Sequence, residues 1–121
     1  MTCSGSSRAA LGALLMAATW IGCAEAQSLS QEQRNALNHL GQVMAIGIEC
    51  PEYEASQLNV SLLMAGYDLD FSKPAIERMM RDIVAQSREG LRATGTKIGC
   101  VVAWGLYGPG GQNVPNLIRR K

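Results

Sequence analysis

The chain has 121 residues, with 11 Lys+Arg against 10 Asp+Glu for a formal net charge of +1, and it is 47% apolar but only 5% aromatic. A charge so near zero removes the electrostatic reason to expect nucleic acid or an anionic membrane surface as partner. The length allows one domain with a small core.

From Ala9 to Ile21 the chain carries no charge, a run of 13 residues lying between Arg8 and Glu25. Such a run fits the apolar region of a signal peptide and falls short of the ~20 residues that span a bilayer. Ala24-Glu25-Ala26 comes next, with small side chains where a signal peptidase has shallow pockets. The expected cut lies before Gln27; residues 1–26 leave and 95 of the 121 remain, without a transmembrane span. An alternative uses Cys23 as a lipid-bearing cysteine, which would anchor an envelope-associated structural protein. Gly22 suits that reading, but Trp20 stands where a Leu is usual.

Helix signals dominate the chain beyond residue 26. Ser30-Gln31-Glu32-Gln33 reads as a capping box, after which Leu37, Leu40, Val43, Met44 and Ile48 recur at three- and four-residue steps. Pro51 closes this helix, because the residue before a proline is pushed out of the helical region, and Cys50 therefore sits at a helix end. A second, weaker helix is expected from about Glu52 to Met64, with Leu58 and Leu62 as its buried stripe and Gly66 as its stop. Asn59, Val60 and Ser61 within it are poor helix formers. Tyr67 to Phe71 reads as a short extended link. Ser72 then suits an N-cap and Pro74 a first turn, opening a third helix over Lys73 to Ala93. Ile76, Met79, Met80, Ile83, Val84 and Leu91 mark its apolar face, and Glu77 with Arg81 and Arg78 with Asp82 are opposite charges four apart. Ile98 to Tyr107 is a continuous apolar run. It fits a buried strand or a buried helix, and helix is preferred because no other segment offers a strand partner. Gly108-Pro109-Gly110-Gly111 ends it. Residues 27–111 thus form a single helical domain, and 112–121, ending in Arg119-Arg120-Lys121, form a flexible basic tail.

The expected mature chain holds two cysteines, Cys50 and Cys100. In an oxidising compartment two thiols in one small domain pair. Closing a loop of about fifty residues stabilises the fold by roughly 4 kcal/mol on the chain-entropy view. A redox Cys-x-x-Cys is absent, and the single histidine, His39, gives zinc no second ligand.

Other patterns yield to plainer readings. Asp68-Leu69-Asp70-Phe71-Ser72 opens like a calcium loop but has Lys73 where Gly is needed and Met79 where Glu is needed. Its acids instead suit a helix N-terminus. Gly105 to Gly111 lacks the Lys-Ser/Thr of a phosphate loop. Met44, Met64, Met79 and Met80 suggest copper(I) ligands only weakly, since methionines at helical spacing fill cores. Asn59-Val60-Ser61 is a formal glycosylation sequon. Trp104 and Tyr107 lie three apart on one helical side and are residue types enriched in binding hot spots, which makes them a candidate partner surface as well as candidate core.

These readings define an all-α domain of four helices with one disulfide, behind a cleaved signal peptide. No catalytic residue, cofactor or metal ligand is expected. The expected function is that of a secreted or periplasmic binding protein, such as a chaperone, inhibitor or accessory subunit, whose partner is another exported or envelope protein. In outline (size, export, helices and one long-range cystine) the chain is similar to the periplasmic acid-stress chaperones of the HdeA type. That likeness is one of architecture, without a shared motif.

Overall fold

A computed structural model describes residues 29–121; the expected signal peptide, its expected cleavage site and Cys23 lie outside the described residues. The domain runs from Gln31 to Lys121. Its elements in order are α1 (Gln31–Glu49), β1 (Tyr53–Ala55), α2 (Gln57–Gly66), α3 (Pro74–Thr94), α4 (Thr96–Tyr107) and β2 (Ile118–Arg120).

α1 is the central helix and buries residues around most of its circumference: Ala36, Leu37, Leu40, Gly41, Val43, Ala45 and Ile46. Met44 and Ile48, which the heptad-like spacing assigns to the core, are instead exposed. α1 and α3 touch closely at Gly41, where a Cβ would lie 2.3 Å from Ile83 Cγ2, so only glycine permits this approach. One end further on, Glu49 Oε2 receives Arg88 Nε and Arg92 Nη2, each at 2.8 Å. These contacts make the two helices parallel. α3 starts at Pro74, with Lys73 at the N-cap and no side-chain cap. Ser72, the sequence candidate for that cap, bonds Asp70 Oδ1 through its own amide and hydroxyl at 2.9 and 2.6 Å.

Gly95 alone joins α3 to α4. Its φ of +100° turns the chain back within one residue, a conformation that a side chain would strain. α4 therefore runs antiparallel to α1, with Cys50–Cys100 tying one end and His39–Tyr107 meeting at the other. The run from Ile98 is a helix, as preferred, but only its inner side is covered: Gly99, Cys100, Ala103 and Tyr107 are buried, while Ile98, Val101 and Val102 are exposed.

Further sequence expectations are corrected. The second helix starts at Gln57 rather than Glu52, capped by Ser56, whose side chain accepts from the Asn59 amide. The residues before it form β1, which pairs antiparallel with β2 in the register Tyr53↔Arg120, Glu54↔Arg119, Ala55↔Ile118. The domain is thus mostly helical rather than all-α. Residues 112–121 are not a tail apart from the domain. Leu117 and Ile118 are among its most buried side chains, and the Leu117 amide donates to the Tyr107 carbonyl at 2.9 Å. The physical reason is local: the chain turns back after α4, so Val114, Leu117 and Ile118 close the core around the disulfide. α2 is also rotated from expectation. Leu58 and Leu62 point outward, and Val60 and Leu63 pack on the core.

Candidate functional site

The two cysteines meet as expected. Cys50 and Cys100 form a disulfide with Cα atoms 5.8 Å apart across a sequence separation of 50, and both are buried.

Trp104 and Tyr107 lie on the inward half of α4. Tyr107 is fully buried, so it cannot be part of a partner surface. The ring packs within the core while its hydroxyl closes a small network, donating to Gln42 Oε1 at 2.7 Å. Because that commits the single hydroxyl hydrogen, the contact of 2.9 Å with His39 Nδ1 has the histidine as donor, fixing the Nδ1–H tautomer. Asn113 Nδ2 approaches the same oxygen at 3.5 Å. Burial lowers the His39 pKa and raises that of Tyr107, the second effect opposed by the Asn113 hydrogen bond. Trp104 is half-buried and stacks on Tyr53 at 4.9 Å between ring centroids, with the Arg120 guanidinium 4.7 Å over the indole. This stack fastens the last strand to α4. It is an assembly contact, in which the apparent hot-spot residues are used internally.

The remaining charged groups that come together are paired with each other. The bonds from Arg88 and Arg92 hold the Glu49 carboxyl below its ordinary pKa. Bonds from the Ser72 side chain and amide do the same for Asp70. Arg119 reaches Glu54 at 2.6 Å across the strand pair. Among the described residues no three His, Cys, Asp or Glu side chains cluster as a metal set, and no helix is long and apolar enough to cross a membrane.

What the described surface does hold is uncovered apolar side chain. α2 exposes Leu58 and Leu62, and α4 exposes Ile98, Val101 and Val102. Between α1, α2 and α3 lies a groove of about 210 Å³ bounded by Leu40, Met44, Val60, Met64, Phe71 and Met80. All six are apolar, and three are methionines that the sequence spreads from position 44 to position 80. Spacing along the chain marks Met44 and Met80 as helix-face residues; it gives no sign that three helices bring them to one groove. A second groove of about 300 Å³ lies over α1, α3 and α4 and includes Gln42, Leu91 and Leu106. Compared with known proteins, the chain matches no protein family, no curated protein and no solved structure.

Proposed function

We propose that this is an exported protein that acts by binding another exported or envelope protein, through apolar surface rather than through ionisable catalytic groups. The observation that carries the reading is the methionine-lined groove. Methionine is unbranched and polarisable, so a wall of it can repack around differently shaped apolar side chains, which suits recognition of protein segments. A volume of about 210 Å³ takes one or two aliphatic side chains of a partner. Leu58 and Leu62 on the neighbouring turns of α2 add contact area outside the groove.

Two further features support the reading. A buried disulfide joining the end of α1 to α4 belongs to an oxidising compartment, which agrees with the leader-like composition of residues 1–26. The ionisable groups that meet, His39 with Tyr107 and Glu49 with Arg88 and Arg92, satisfy one another within the fold.

Affinity capture from the native compartment tests this, using the protein alongside its Met44→Lys variant. Met44 is 47% exposed, so lysine there charges the groove rim with little effect on folding. A protein enriched by the parent chain and lost with the variant, at unchanged melting midpoint, is the expected result. Equal capture by both chains rejects the groove as the binding site.

A further inference from the structure

Beyond residue 26 the methionines are Met44, Met64, Met79 and Met80. Methionines at helical spacing ordinarily fill cores, but three of these do not. Met44 is 47% exposed, and Met64 and Met80 are half-buried. Met44 stands on α1, Met64 in the last turn of α2 and Met80 in the second turn of α3, and all three border the groove of about 210 Å³. Met80 Sδ lies 3.5 Å from where a Cβ on Gly41 would stand. Gly41 and Met44 are three apart on α1 and share a face, and a helical side chain leans toward the turn before its own Cα. Met44 is thereby directed toward the Met80 sulfur. Met79, a turn of about 100° round α3 from Met80, does not border the groove.

We propose that Met44, Met64 and Met80 bind one copper(I) ion through their three thioether sulfurs. The donor set chooses the metal. Thioether sulfur is soft and uncharged and selects copper(I), while the thiolate and imidazole ligands that hold zinc are absent from the groove. Leu40, Val60 and Phe71, which complete its lining, bring no side-chain nitrogen or oxygen for a harder ion. His39, the single histidine, has its Nδ1 on the Tyr107 hydroxyl.

Charge and mobility agree with that choice. Three neutral donors leave the ion its single positive charge, which costs less to bury among apolar side chains than a double one. Phe71 adds an aromatic ring to the same lining, a neighbour that favours a cation. The three rotatable bonds of methionine let the sulfurs close on the ion while the helices stay in place. α1 and α3 are held together there by the approach of Ile83 to Gly41 and further on by Arg88 with Glu49.

Anaerobic titration of the untagged protein, as recovered after export, with copper(I) against a colorimetric copper(I) chelator is the test. One ion per chain should bind. Met44→Leu, Met64→Leu and Met80→Leu conserve volume and apolar character, so the chain still folds. Each should weaken binding by at least the ~10–100-fold that loss of an outer-shell partner costs a metal site. Met79→Leu should bind as the parent does. X-ray absorption at the copper edge should show sulfur neighbours alone, a signature that a purely structural role of the methionines would not give. A parent chain that takes up no copper(I) overturns the proposal. So does a site indifferent to the Met44 and Met64 substitutions, or a copper shell that contains nitrogen. The titration holds no partner protein, so its outcome is separate from that of the proposed partner binding.

Discussion

His39 shows most directly what one residue does here. Burial holds its pKa below the ordinary value of about 6.5, so the folded chain binds this proton less readily than the unfolded one. Its contribution to stability is complete above that value and is lost as pH falls below it toward the folded pKa, because the unfolded state then holds more protons. Asparagine keeps a donor close to the position of Nδ1 and does not titrate. His39→Asn should therefore flatten the fall in melting midpoint between about pH 7 and pH 5; parallel curves for the two chains would reject this account. Glu49 acts in a lower window. Its carboxyl is held down by Arg88 and Arg92, so its contribution persists above the unfolded carboxyl pKa and fades as pH drops through the folded one. Tyr107→Phe removes the hydroxyl that serves Gln42 and His39 while keeping the buried ring. Leaving those groups without their partner should cost about 1–3 kcal/mol in chemical denaturation. None of this network was legible in the sequence. His39 and Tyr107 are 68 positions apart, and a single histidine on a helix carries no spacing signal about what it meets across the fold.

Among the elements, those with long periodic patterns were legible and the short ones were not. α3 follows its sequence reading within a residue at each end, because Pro74 and Gly95 bracket it and its Ile and Met residues repeat at helical steps. β1 and β2 have three residues each, too few for alternation to register, and their pairing exists only once the chain has turned back after α4. α2 fails differently. With Leu58, Val60, Leu62, Leu63 and Met64 it is apolar on every side, so periodicity cannot tell which stripe faces inward. The consequences are opposite for two pairs of aliphatic residues. Ile118→Ala or Leu117→Ala, in the segment that reads as a polar tail, should destabilise by about 2–5 kcal/mol, since both side chains are at most 2% exposed. Leu58→Gln and Leu62→Gln, in the expected core stripe, should each move stability by no more than about 0.5 kcal/mol. Urea denaturation of the four variants checks both claims. A small effect at Ile118 would mean that β2 contributes little to the folded state.

At the scale of the whole molecule the disulfide is the feature on which sequence and structure agree most closely, because Cys50 and Cys100 are the two cysteines beyond the expected signal peptide and leave one intramolecular pairing. Its position says what it does. Cys50 ends α1 and Cys100 lies in the second turn of α4, so the bond closes a loop holding β1, α2 and α3. Around it the core gathers Val43, Ile46, Tyr53, Ala103 and Tyr107 from one side and Leu117 and Ile118 from the other. Cutting the bond frees the unfolded chain to explore a loop of about fifty residues, worth roughly 4 kcal/mol on the chain-entropy view. For a domain this small that is a large share of a total stability of several kcal/mol. Cys50→Ser with Cys100→Ser should accordingly lower the urea midpoint steeply, without changing the helix content of the chain where it still folds. Reduction should be slow in native buffer, since Cys50 is 0% and Cys100 4% exposed and a thiolate must reach the sulfur. The rate should therefore rise with added urea in step with the fraction of opened chain. Thiol trapping followed by intact mass measures it at each urea concentration. If the rate is instead fast and independent of urea, the bond is reachable in the folded state, and a structural staple becomes a disulfide open to exchange.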